Sequence, residues 1–132
     1  MTLTTSQVSG STAASGGMLY VDMVGGDVNF NVGAGCKIDS SSAVGTSGGV
    51  GLLRSTTNAY VTTDGPATTI SYSTAQGSGG VFYLDAAVIN SFQLGVTADV
   101  SLTTSTSKTG EGGIAVMNGQ QNTFTMSSSS SI

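Results

Sequence analysis

The sequence predicts an all-β fold, a right-handed parallel β-helix of about four coils with ~32 residues per coil. Two repeated markers and one exclusion lead there. A Gly-Gly pair followed by four mostly apolar residues occurs as Gly16-Gly17-Met18-Leu19-Tyr20-Val21, Gly48-Gly49-Val50-Gly51-Leu52-Leu53, Gly79-Gly80-Val81-Phe82-Tyr83-Leu84 and Gly112-Gly113-Ile114-Ala115-Val116-Met117. The first glycines of these pairs lie 32, 31 and 33 residues apart. A second marker, Ile38, Ile70, Val100 and Ile132, keeps the same beat with separations of 32, 30 and 32. No window sustains a 3.6-residue period, and clusters of Gly and Ser interrupt any helix of useful length, which excludes helical repeats.

Each repeat reads as three short strands separated by turns. The Gly-Gly pair is a tight corner, because glycine tolerates backbone angles other residues avoid, and it is not a phosphate cradle, because none of the pairs opens a helix. The first strand follows that corner. A second strand carries an aromatic or large apolar residue in Val28-Asn29-Phe30-Asn31-Val32, Ala59-Tyr60-Val61, Ser91-Phe92-Gln93-Leu94 and Thr123-Phe124-Thr125-Met126. The third contains the marker of the Ile38 series. Stacking each strand on its equivalent one repeat away gives parallel ladders around a shared core, and crossovers between parallel strands run right-handed as a rule.

The chain therefore reads as a single domain, 1–132, with repeats at 1–37, 38–69, 70–99 and 100–132. Met1-Thr2-Leu3-Thr4-Thr5-Ser6 matches Val100-Ser101-Leu102-Thr103-Thr104-Ser105, which predicts that the chain starts at the phase where Ile132 stops. Four coils at about 4.8 Å each make a slab ~19 Å tall with an open strand edge at either end. Such a slab is either a segment of a longer solenoid or a subunit that stacks end to end with others. The second alternative predicts an assembly interface of Met1, Leu3, Val100, Leu102 and Ile132.

Composition narrows the function classes. Only 8% of the 132 residues are charged and the net charge is −4, where roughly 25% charged residues is usual. The three basic residues, Lys37, Arg54 and Lys108, neutralise too few phosphates to hold nucleic acid. No apolar run approaches the ~18 residues of a membrane-spanning helix. With no His and one cysteine, Cys36, the sequence supports neither an internal disulfide nor a zinc site, and no cofactor is expected. Cys36 reads as a small packed hydrophobe.

Three constellations bear on chemistry. The fifth residue after the second glycine is polar in every repeat: Asp22, Arg54, Asp85 and Asn118. Stacked vertically, these form either an acid/base cluster or a charge-compensating ladder that holds coil register. The ladder is preferred, because no second acid lies in phase to complete a glycoside-cleaving pair. Hydroxyl columns follow the apolar marker by one place (Thr2, Asp39, Ser71, Ser101) and by three (Thr4, Ser41, Ser73, Thr103), and read as outward strand positions. Ser and Asp interrupt the regular Thr array that ice binding requires. The strands after Gly-Gly are apolar at both odd and even places, so one set fills the core and the other is expected to leave an apolar stripe of several hundred Å² for a lateral partner.

The Gly-Gly-apolar signature on a coil of this length resembles the right-handed β-helix repeats of polymorphic outer-membrane proteins, autotransporter-like adhesins and large surface proteins of single-celled eukaryotes. The resemblance covers the whole chain through a short motif. It implies an extracellular or cell-surface scaffold with adhesive or fibre-forming use. The expected function is a structural or adhesive module, not an enzyme, whose partners are further copies or neighbouring coils of a longer chain. A polysaccharide-active β-helix enzyme, lyase or hydrolase, and an ice-binding solenoid are the alternatives.

Overall fold

The computed structural model of the chain describes residues 1–4, 6–65, 67–95, 100–103, 106–107 and 109–126, with 100–103 and 106–107 described by backbone alone. The first coil contains β1 (Thr2–Leu3), β2 (Gln7–Ser9), β3 (Thr12–Ala13) and β4 (Leu19–Met23). The second contains β5 (Val28–Val32), β6 (Lys37–Asp39), β7 (Ser42–Ala43) and β8 (Gly51–Ser55). The third contains β9 (Asn58–Thr63), β10 (Thr68–Ser71), β11 (Thr74–Ala75) and β12 (Phe82–Ala86). The fourth contains β13 (Ile89–Leu94), β14 (Val100–Thr103), β15 (Thr106–Ser107) and β16 (Ala115–Asn118), and β17 (Gln121–Met126) opens a further turn. All pairing is parallel and joins each strand to its equivalent one coil away. The fold is an all-β solenoid of about four turns.

Each coil has four sides rather than three. The sheets are β1-β5-β9-β13-β17, β14-β10-β6-β2, β15-β11-β7-β3 and β16-β12-β8-β4. The additional side is only two residues long, too short for an alternation to show in sequence. It is set off by a corner residue in the left-handed region, Gly10 (φ 66), Ser40 (φ 56) and Tyr72 (φ 53) in successive coils. Only the first coil places glycine there, and the other two hold a side chain where the L-configuration costs about 1 kcal/mol or more. Tyr72 is exposed, so little packing is lost with its ring. Tyr72→Gly is expected to raise stability by about 0.5–1 kcal/mol in urea denaturation. A loss of stability would show that the corner is not strained.

The glycine corners stack in one column. Gly17 N–H donates to Gly48 O at 3.1 Å, Gly49 N–H to Gly79 O at 3.2 Å and Gly80 N–H to Gly112 O at 3.0 Å. Within each pair the two glycines have different jobs. The first takes positive φ in all four repeats: 54° at Gly16, 73° at Gly48, 67° at Gly79 and 67° at Gly112. The second lies against the coil above, where a Cβ on Gly49 would meet Gly80 O at 2.1 Å.

The apolar marker column needs correction. Ile38 stacks on Ile70, but Ile70 pairs with Leu102, and Val100 lies against Thr68. In the first coil the equivalent residue is Val8. The opening strand also belongs to a different side from the one expected. Thr2 and Leu3 pair with Asn31 and Val32, so Leu3 heads the column Val32, Thr63, Leu94 and Met126. The match between Met1–Ser6 and Val100–Ser105 arises because both stretches alternate Thr or Ser with an aliphatic residue, a pattern shared by two sides of the coil. Ser9 and Thr103, not Thr2 and Ser101, complete the column of Asp39 and Ser71. Ile132 lies outside the described residues.

Side chains from the four sheets meet in one core. Phe30, Val61, Phe92 and Phe124 form one column on the sheet of β5, β9, β13 and β17. Phe82 reaches across from β12 and packs edge to face on Phe30 (6.0 Å between ring centres) and Phe92 (5.2 Å). Its room comes from the coil below, where it pairs with Gly51, at which a Cβ would lie 3.1 Å from the Phe82 ring. Cys36 is buried in this core and free. Ser41 and Ser73, expected to face outward, are fully buried instead, with hydroxyls that have no partner. They directly follow the left-handed corner, which turns the next side chain inward.

Candidate functional site

Among the described residues, the strands that follow the glycine corners carry an outward-facing concentration of aromatic and charged side chains. On β4, β8, β12 and β16 the inward residues are Leu19 and Val21, Gly51 and Leu53, Phe82 and Leu84, and Ala115 and Met117, each group buried or packed on the core. Alternation then sends two rows outward. One is Tyr20, Leu52, Tyr83 and Val116; the other, two residues on, is Asp22, Arg54, Asp85 and Asn118.

The apolar stripe is narrower than the sequence implied, because the alternation breaks at the corner. Met18 N–H and Leu19 N–H both donate to Val50 O, Val50 and Gly51 both to Val81 O, and Val81 and Phe82 both to Ile114 O. Two donors on one acceptor mark a bulge-like irregularity, which lets two consecutive residues point the same way. Val50 and Val81 are thereby fully buried beside the core, and Met18 and Ile114 pack against it. One outward apolar row remains where two were available from parity alone.

The polar row is in register across all four coils. Arg54 pairs with Asp22 on one side and Asp85 on the other along the ladder. Its Nε lies 3.5 Å from Asp85 Oδ2, and Asn118 Nδ2 donates to Asp85 Oδ1 at 3.1 Å. Asp22 accepts instead from the Tyr20 hydroxyl at 3.1 Å. Both members of the ion pair are more than a third exposed, so it contributes at most about 1 kcal/mol and acts chiefly in register. Arg54 separates the two aspartates, which therefore do not converge on a common point. Among the described residues no three potential metal-ligating side chains come together.

Two shallow clefts flank Arg54. One, of about 150 Å³, is lined by Tyr20, Leu52, Tyr83 and Arg54 on the sheet and by Ser15, Thr46 and Ser47 on the preceding corner. The other, of about 310 Å³, is bounded by Asp22, Arg54 and Asp85, by the strand ends Met23 and Ser55 and by the turn residues Val24, Thr56 and Ala87. Hydroxyls tie the first rim together, with Thr46 Oγ1 donating to Ser15 Oγ at 2.7 Å.

The residues expected at an end-to-end joint fall in separate places. Met1 and Leu3 lie on the edge strand β1, where Met1 O accepts from Asn31 N–H at 3.0 Å and Leu3 O from Gly33 N–H at 2.9 Å. Val100 and Leu102 lie on β14, an edge of a different sheet at the other end of the stack. The core also holds a polar element that the sequence patterns did not single out. Asn90 is fully buried, accepts from Ala86 N–H at 3.0 Å and donates to Asn122 Oδ1 at 3.0 Å on the next coil. The 32-residue separation of these two asparagines was the available signal.

The class these features define is a β-solenoid with one mixed aromatic and charged face. Compared with protein-family models, curated proteins and solved structures, the chain matches none. Among the described residues no helix is long and apolar enough to cross a membrane.

Proposed function

We propose that the protein is a structural or adhesive β-solenoid module that assembles, end to end or laterally, in an extracellular or cell-surface scaffold. The observation that carries this reading is the apolar edge of the core at the last described strands. Ile114, Ala115, Met117 and Phe124 line an apolar cavity of about 250 Å³, and Phe124 and Met126 are 43% and 42% exposed. Phe124 continues the ring contacts of the core, 5.3 Å from Phe92 between ring centres. Among the described residues β14 to β17 form one edge of the stack and β1 to β4 the other, so a further coil set on either edge extends ladders already in place. That coil belongs to a second copy or to a neighbouring stretch of a longer chain. The surface location rests on the resemblance of the Gly-Gly repeat to those of surface proteins.

Sedimentation velocity at rising concentration tests the self-assembly. The expected result is a weight-average sedimentation coefficient that grows with concentration, and growth that Met126→Asp suppresses while leaving the circular dichroism spectrum unchanged. A single monomeric species across the whole range would end the self-assembly reading.

A further inference from the structure

We propose that the outward face of β4, β8, β12 and β16 binds an extended, neutral oligosaccharide along the solenoid axis. Binding at this face does not depend on end-to-end stacking of copies, which would use the strand edges and not this face.

The outward row of side chains points to such a ligand. Tyr20 and Asp22 are two residues apart on one face, about 6.6 Å along the strand. A tyrosine hydroxyl bonded to that carboxylate at 3.1 Å requires a ring leaning along the sheet rather than standing off it. Such a ring lies low along the sheet, and Tyr20 is 48% exposed. Tyr83 occupies the same row two coils on, about 10 Å away by strand spacing. Leu52 lies between them in the row, only 3% exposed although it points outward, and all three share the floor of one cleft.

Charge favours a neutral chain over an ionic one. Alongside that floor runs Asp22, Arg54, Asp85 and Asn118, acceptors and donors alternating at the coil spacing, with one more acid than base. A polyanion is repelled by the two aspartates and by the net charge of −4. A polycation meets Arg54 at the centre of the row, between two carboxylates that already have partners in Tyr20, Arg54 and Asn118. A chain of sugar rings suits both rows: its C–H faces stack on tyrosine, and its hydroxyls donate to carboxylates and accept from guanidinium and amide. Its linear repeat also matches a site that repeats linearly, two coil steps spanning about two sugar rings. The cleft of about 150 Å³ between this floor and the Ser15, Thr46 and Ser47 rim supplies one wall.

Native electrophoresis in gels containing dissolved polysaccharide reads this directly, since the acidic chain migrates toward the anode. The probes are hydroxyethyl cellulose, galactomannan and mixed-linkage glucan as neutral polymers, and polygalacturonate as an anionic one. Retardation by at least one neutral polymer is expected, with dissociation constants about tenfold weaker for Tyr20→Ala and for Tyr83→Ala. Tyr72→Ala, on another side of the coil, is the matched control and is expected to bind as the unaltered chain does. Thermal melts of the variants separate lost binding from lost folding, and Tyr83→Phe, which keeps the ring, is expected to retain binding. Absence of retardation by all three neutral polymers, stronger retardation by polygalacturonate, or full binding by folded Tyr20→Ala and Tyr83→Ala would each overturn the proposal.

Discussion

Replacing Gly49 with alanine is expected to destabilise the fold by more than about 4 kcal/mol, an exceptional value for one methyl group. The added Cβ would lie 2.1 Å from Gly80 O and 2.8 Å from Thr74 N, both backbone atoms of the next coil. Side chains yield to such a contact by changing rotamer, but here the ladder between coils would have to part. Gly49 does not itself adopt positive φ, so the loss comes from contact and not from conformation. Gly25 is the control: it has φ 80, and a Cβ added there would have no atom within 4 Å, so Gly25→Ala carries only the left-handed penalty of about 1 kcal/mol. Equilibrium urea denaturation of both variants checks the contrast, and equal losses would show that the corner tolerates a side chain.

Phe82→Ala is the second large effect, with an expected loss of about 3–5 kcal/mol. The ring is fully buried and holds edge-to-face contacts on two coils, with Phe30 below and Phe92 beside it. Its removal opens a void that the neighbours close poorly, because Gly51, its partner in the column below, offers no side chain to relax into it. A Cβ on Gly51 would sit 3.1 Å from the Phe82 ring, so the two positions compete for one volume. Gly51→Val is therefore expected to destabilise the unaltered chain yet to recover part of the loss in Phe82→Ala. Strict additivity of the two changes, measured as a double-mutant cycle in urea, would refute the shared-volume account.

Much of this fold is legible in the residues because a solenoid makes short-range chemistry repeat at long range. The Gly-Gly pairs mark the corner in every coil, since nothing but glycine meets both a positive φ and a backbone contact there. The distance of Asp22, Arg54, Asp85 and Asn118 from that corner predicts a single row, and the strand register puts them side by side. The Phe30, Val61, Phe92 and Phe124 column is recoverable in the same way.

Other features depend on geometry that a linear count does not contain. The fourth side is hidden because strands such as Thr74–Ala75 are too short to alternate, although a Thr or Ser before Ala recurs at Thr12, Ser42 and Thr74. The phase of Met1–Leu3 is misread from sequence because Thr-rich, alternating strands look alike on two sides of the coil, and only hydrogen-bond register separates them.

The sequence by itself determined the parallel, coiled stack, its period and the polar row, because each depends on residues held one repeat apart. Tertiary structure alone decided which apolar residues after each corner face outward. Periodicity leaves the two parities equivalent, and the paired donors on Val50, Val81 and Ile114 carbonyls turn two consecutive side chains into the core. What remains facing outward after each corner is the single apolar row of Tyr20, Leu52, Tyr83 and Val116.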